Sequence, residues 1–181
     1  MMCMETNDEK PTLSAASDVV VRRSEVGDLP RLLEIFNLAR RYMRSTGNLS
    51  QWDDSYPDED LLRSDIESGD SYVCLLNGRI VGTFLLRGGD DPTYSNIYDG
   101  RWINGLPYAT LHRVASSGEV RGLLHLAVVF ALQRYSNLRI DTHRDNAPMR
   151  RAVEREGFRY CGIIRCWNGT ERLAFQYATE R

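Results

Sequence analysis

Three histidines occur in the chain, and His112 is the one whose setting invites proton chemistry. It lies in Tyr108-Ala-Thr-Leu-His-Arg-Val-Ala115, an alternating stretch that places Tyr108, Thr110, His112 and Val114 on one face of a strand. An imidazole titrates near neutrality, whereas a phenol such as Tyr108 is a poor base there. His112 is therefore the candidate general base, with a core histidine satisfied by hydrogen bonds as the equal alternative; His125 and His143 read as surface or packing residues. Trp52, Tyr56 and Trp102 form a second group, on or beside loops, with Asp53 and Asp54 next to the first two. Such rings either line a binding cleft or anchor their loops, and the carboxylates suit a cationic amine or face water. Cys3, Cys74, Cys161 and Cys166 form no C-x-x-C pair, and no histidine stands at zinc spacing beside them, so no metal site is signalled. They are expected unpaired, with Cys74 and Cys161 buried in strands.

These residues belong to a chain of 181 residues, the length of one domain with a modest tail. Its 23 basic and 25 acidic residues leave a formal charge of −2, which argues against a nucleic-acid-binding protein, whose affinity usually needs a concentrated basic surface. All but Lys10 of the basic residues are arginine, the planar cation suited to phosphates and carboxylates, although codon usage is the plainer explanation. The N-terminus carries acids and no apolar run of the kind that marks a secretory signal. The longest apolar run, Leu123 to Leu132, is interrupted by His125 and too short to span a membrane. A cytoplasmic location without a membrane partner is expected. Residues 1–17 read as a disordered tail and 18–181 as a single domain.

The elements that must position the candidates follow from periodicity and punctuation. Asp18 to Ser24, with three valines, reads as a strand; Asp28 and Pro30 open a helix that Gly47 closes; a short helix spans Asp58 to Ser68. Asn77-Gly78 joins strands Ser71 to Leu76 and Arg79 to Arg87 in a hairpin. Gly88 to Pro107 is a long Gly/Asp/Asn-rich loop, of a length that is usually functional or mobile. Then come a strand from Tyr108 to Ala115, a helix from Glu119 to Tyr135, a strand from Asn137 to Thr142 and a helix from Asn146 to Glu156. Strands Phe158 to Ile164 and Arg172 to Ala178 finish the chain, joined around Asn168-Gly169, whose sequon with Thr170 reads as a turn. This order gives an α+β or α/β fold, a twisted mixed sheet of six to seven strands with helices on both faces. The strand–helix–strand unit from Tyr108 to Thr142 requires a parallel pair, and ligands in such sheets sit near strand ends and helix N-termini. The helix after Glu119 is apolar on nearly every side, which predicts a second subunit over its outer face, a homodimer.

The element order, with H112-R-V-A-S-S-G-E-V-R-G122, R139-I-D-T-H-R-D-N146 and E156-G-F-R-Y-C-G-I-I164, resembles the GNAT superfamily of acetyl-CoA-dependent N-acetyltransferases over residues 18 to 178. Q51-W-D-D-S-Y-P57 and D141-T-H-R-D-N146 resemble a bacterial subset of it. The resemblance implies that Glu119, Val120, Arg121, Gly122, Leu123 and Leu124 hold the pyrophosphate of acetyl-CoA at a helix N-terminus. It also implies that backbone around His112 and Val114 meets the pantetheine arm and polarises the acetyl carbonyl, and that Asn146 and Met149 contact the same arm. Asn146 is also a good helix cap. The chain departs from the family pattern at three points. Glu119 stands where Gln or Arg is usual, Leu124 where a second small residue is usual, and Val153 where a tyrosine often protonates the departing thiolate. Arg121 offers a compensating guanidinium.

The expected function is transfer of an acetyl group from acetyl-CoA to an amine of a small molecule or protein. His112 is the base and Tyr108 the second catalytic candidate; Trp52, Tyr56 and Trp102 lie on the acceptor side. The alternative, which the three departures favour, is a catalytically impaired CoA-binding, sensing or interaction module on the same fold.

Overall fold

The computed structural model of the chain describes residues 18–179, so the expected tail at 1–17 lies outside the described residues. These residues form a seven-stranded mixed sheet. The strands are β1 (Val19–Arg23), β2 (Ser71–Leu76), β3 (Arg79–Gly88), β4 (Ala109–Ser116), β5 (Asn137–Thr142), β6 (Arg159–Arg165) and β7 (Glu171–Ala178). Their spatial order is β1-β2-β3-β4-β5-β7-β6. Four helices cover it, α1 (Leu29–Ser45), α2 (Glu59–Glu67), α3 (Leu123–Leu132) and α4 (Ala147–Arg155). The β2–β3 hairpin closes on Asn77 and Gly78, both at positive φ, as the expected Asn-Gly turn requires.

Two cores lie on the two faces of the sheet. Leu32, Ile35 and Phe36 of α1 and Leu62 of α2 pack with Val73 and Ala115 on one side. Leu124, Ala127 and Val128 of α3 and Val153 of α4 pack with Phe84, Leu111 and Ile140 on the other. Most of the apolar character of α3 is therefore buried within the chain. Phe130 lies edge-on to Tyr72 and Phe84, and Val129 is left exposed.

Several boundaries differ from expectation for physical reasons. The third helix begins at Leu123, not Glu119, because Gly122 adopts the left-handed conformation, which a helix interior does not accommodate. Asp28 precedes α1 without capping it; its carboxylate instead takes two hydrogen bonds from Arg22, at 2.7 and 2.9 Å, and one from the Glu25 N–H at 2.8 Å. The long loop after β3 is ordered. It contains a 3-10 turn, Pro92–Tyr94, and reaches the edge strand β6, where Tyr98 and Ile163 exchange two backbone hydrogen bonds of 2.8 Å. Gly100 and Gly162 allow that approach. A Cβ on Gly100 would lie 1.9 Å from the Cys161 carbonyl oxygen, and one on Gly162 would lie 2.5 Å from that of Tyr98.

Candidate active site

β4 and β5 are parallel neighbours over only three residues, Ala109–Leu111 against Leu138–Ile140. Beyond Leu111, β4 continues along β3 while β5 follows β7, so the sheet splits. A cleft of about 1380 Å³ opens there, lined by residues of both strands, the α1–α2 loop, the start of α3 and the start of α4. At the split β4 carries a bulge. Thr83 pairs with Ala115 and Leu85 with His112, three steps against two, and Arg113 takes φ of +49°. The bulge overturns the simple alternation expected for this strand. His112 remains on the face of the long loop, whereas Val114 packs against the α3 core and Ala115 against α1 and α2.

His112 is held by three groups from the long loop and β5. Its Nε2 lies 3.0 Å from Asp91 Oδ2, and its Nδ1 is 3.7 Å from Asp141 Oδ1 on β5. Tyr94 presents its ring edge-to-face to the imidazole and donates its hydroxyl proton to Asp141 Oδ1 at 2.6 Å. Asp91 also accepts the Thr93 N–H at 2.8 Å, and its own N–H donates to the Tyr108 hydroxyl at 3.1 Å. Burial pushes the Asp91 carboxyl upward, but the hydrogen bonds from His112 and Thr93 outweigh it and bring it down to about 2. An ionised carboxylate only accepts, so the proton shared with Asp91 belongs to His112 Nε2. Tyr94 is buried beside Asp141, and both effects hold its phenol well above the ordinary range.

A second ionic group lies behind the bulge. Arg113 NH2 contacts Asp65 of α2 at 2.6 and 2.7 Å, and its NH1 donates to the Tyr56 hydroxyl at 3.0 Å. Burial holds the Asp65 carboxyl above its usual range in spite of the guanidinium, while Tyr56 and Asp65 raise Arg113 against its own burial.

At the α3 end of the cleft the working groups are backbone. The first intrahelical bond runs from Leu126 N–H to Gly122 C=O at 3.0 Å, and among the described residues no side chain caps the preceding amides. Val120, Gly122, Leu123 and Leu124 line the cleft with Val114, Asn146 and Met149; Glu119 and Arg121 do not. Glu119 turns away, onto Arg31 NH2 at 3.0 Å and Arg79 NH2 at 3.2 Å. Leu124 is buried in the core under α3, and Leu123 fills the space left by Gly82, where a Cβ would lie 2.4 Å from it. Asn146 caps α4 through the Met149 N–H at 3.2 Å and donates to Gln51 Oε1 at 3.0 Å. The uncapped amides, the bare Gly122 and the neutralised Glu119 fit a phosphate group at this helix end. Val153 is fully buried and offers no proton.

The other predicted residues divide. Trp52 and Tyr56 line the cleft, with Trp52 edge-on to Phe36 of α1. Trp102 and Tyr108 do not line it. Trp102 stacks on Tyr94 and donates its indole N–H to the Tyr94 carbonyl at 3.1 Å, and Arg139 lies between the Trp102 and Tyr108 rings, 3.9 and 3.8 Å from their centroids. Asp53 is committed to its own turn, accepting from Ser55 and the Tyr56 N–H, and Asp54 pairs with Arg44. Asp91, Tyr94, Asp141, Arg113 and Trp167 entered no sequence-based candidate set. An Asp-Pro turn opening at Asp91 was the one available signal. Trp167, on the turn between β6 and β7, is 84% exposed at the cleft mouth. Among the described residues no helix is long and apolar enough to cross a membrane, and no group of three or more His, Cys, Asp or Glu side chains is arranged for a metal ion.

No protein-family model matches the sequence, and no curated protein matches it. Solved structures do. A GNAT-family acetyltransferase from Streptococcus agalactiae superposes with a TM-score of 0.79 at 27% identity, over 90% of this chain and 96% of that one. The chain has the GNAT fold, and these neighbours support the GNAT superfamily. A GNAT-family acetyltransferase from Listeria monocytogenes (TM-score 0.65, 19% identity, 89% and 95% of the two chains) shares the fold. So does the polyamine N-acetyltransferase of Drosophila melanogaster, an enzyme that forms N-acetylagmatine (TM-score 0.59, 17% identity, 90% and 100%). The split between β4 and β5 in this GNAT-fold chain thus lies at the centre of a sheet shared with acetyltransferases.

Proposed function

We propose that this protein is an N-acetyltransferase that moves an acetyl group from acetyl-CoA to a primary amine. The observation that carries the reading is the meeting, in one cleft, of an uncapped helix N-terminus, a bulged strand end and a histidine bound to a carboxylate. In this reading the α3 amides and Gly122 receive the pyrophosphate, with Val120, Leu123, Leu124, Asn146 and Met149 along the arm. Backbone N–H groups near Val114 polarise the thioester carbonyl. His112 removes a proton from the incoming ammonium, and the amine attacks the carbonyl carbon. The C–S bond breaks, and the second amine proton goes to the thiolate through water, since Val153 cannot supply one. Trp52, Tyr56 and Trp167 surround the acceptor at the cleft mouth.

The test is calorimetric titration of acetyl-CoA, followed by free-thiol release with a panel that includes agmatine, spermidine and peptides with a free N-terminal alanine. Binding in the micromolar range with release dependent on one class of amine is expected. No heat at millimolar acetyl-CoA overturns the reading. Binding without release from any amine favours the impaired CoA-binding module, the reading that the buried Val153 supports. A homodimer through the exposed Val129 side of α3 is part of the same proposal, and a monomer by light scattering at micromolar concentration removes it.

A further inference from the structure

The carboxylates flanking His112 divide the work of binding and proton transfer between its two nitrogens. We infer that Asp91 fixes His112 as the Nε2–H tautomer, and that the acceptor enters as an ammonium between the freed Nδ1 lone pair and Asp141. This rests on the acetyltransferase reading for its reaction, but not for its geometry. His112 Nε2 is 3.0 Å from Asp91 Oδ2, so that proton is engaged and Nδ1 is left as the acceptor. Nδ1 and Asp141 Oδ1 are 3.7 Å apart, too far for a direct hydrogen bond, and both residues line the cleft. An ammonium donating one N–H to each fits that spacing. Nδ1 then takes one proton, giving a neutral amine and an imidazolium flanked by Asp91 and Asp141.

The surroundings keep these groups on task. Tyr94 and Trp102 brace the loop that carries Asp91, and the Tyr94 hydroxyl orients Asp141. Arg172 Nε stands 4.0 Å from the other Asp141 oxygen. Of the other charges nearby, Asp65 and Arg113 are paired with each other on the α2 side, and Arg87 is paired with Asp70 at 2.8 Å. Asp53 and Asp54 are engaged elsewhere, whereas Asp141 Oδ1, which accepts the Tyr94 hydroxyl, has a second lone pair for a cation at His112. Asp91 is thus a positioning residue, whereas His112 and Asp141 touch the substrate.

The experiment is nitrogen-15 NMR of the full-length protein at about pH 8, with the His112 imidazole assigned through His112→Gln. The wild type is expected to show a neutral ring protonated on Nε2, and Asp91→Ala a mixture of tautomers with an unchanged thermal midpoint or, if lowered, a melt that remains cooperative. Adding ethylammonium chloride should shift the Nδ1 resonance in the wild type and leave it unmoved in Asp141→Asn. A ring protonated on Nδ1, a tautomer unaffected in Asp91→Ala, or no amine-dependent shift overturns the inference. These readouts need no turnover, so a failure of acetyl-CoA binding sinks the enzymatic reading while leaving this one to stand or fall alone. With an accepted amine, Asp91→Ala should lower kcat by about 10²-fold and displace the acid limb of the pH profile at unchanged KM for acetyl-CoA. Asp141→Asn should raise the acceptor KM about tenfold.

Discussion

The two ends of the cleft are built from different material. At the α3 end the groups that face the opening are amides of a helix N-terminus and apolar side chains, and Glu119 turns outward onto Arg31 and Arg79. At the β4–β5 split the groups are charged and aromatic side chains locked to one another, His112 to Asp91, Tyr94 to Asp141 and Arg113 to Asp65. A backbone site depends on conformation more than on side chains such as that of Glu119, which turns away from the opening. A side-chain site depends on each partner, because removing one strands another in a buried position.

The sharpest break in that contrast is expected at Arg113. Arg113→Met leaves the Asp65 carboxylate, 5% exposed, with only Arg87 at 3.8 Å. Losing one partner of a buried pair costs about 3–5 kcal/mol. The pH dependence has a definite sign. Burial already raises Asp65 with the arginine present, and raises it further without. A carboxyl raised in the folded state favours folding below its unfolded pKa, and that advantage is lost as pH rises through the folded value. Urea denaturation should therefore show a smaller deficit for the variant at pH 5 than at pH 8. Equal deficits would mean that the pair is not held as a buried ion pair.

Leu124 tests the other end. Because the side chain is buried in the α3 core, Leu124→Ala should cost about 2–5 kcal/mol in the same assay. Acetyl-CoA should bind no more tightly to it. Tighter binding would show that the leucine obstructs the phosphates, and that its burial is incidental.

The same division explains what could be read in the sequence. The Asn77-Gly78 turn, the valines of β1, the α1 stripe Leu32–Phe36–Met43 and the parallel β4–β5 pair follow from local chemistry and connection rules, and they place the cleft. The α3 end was legible as a loop and a glycine, although the helix starts at Leu123 rather than at Glu119 because Gly122 turns left-handed. The side-chain end was legible at His112 alone. Its partners come from a loop 21 residues before it in sequence and a strand 29 after it, and nothing local announces their meeting. The bulge was equally hidden. Arg113 occupies a positive φ without being glycine, so alternation was extended through it to Val114. Trp102 was read as a site residue from its place beside a loop and Tyr108 from its place on the strand face of His112, but their rings sandwich Arg139 and brace the loop.

Glu119→Gln is expected to do less. The carboxylate is part-exposed and paired with the part-exposed Arg31 and the exposed Arg79, so stability should change by no more than about 1 kcal/mol. Acetyl-CoA affinity should rise by less than about threefold, through the arginines released. A gain above about tenfold would place the carboxylate among the phosphates, and would erase the distinction between a backbone end and a side-chain end.

The smallest structural effect belongs to Trp167. Its ring is 84% exposed on the β6–β7 turn, so Trp167→Ala should leave folding stability within about 0.5 kcal/mol of the wild type. An exposed ring on the rim of a cleft offers a broad apolar face with a polar N–H to a ligand entering it. The variant should therefore show a raised acceptor KM with unchanged kcat and unchanged KM for acetyl-CoA. That split would extend the side-chain-built region outward from His112 to the rim on the far side of β7. If all three constants stay at their wild-type values, the acceptor is held without this turn, and the dependence on individual side chains ends at Asp141.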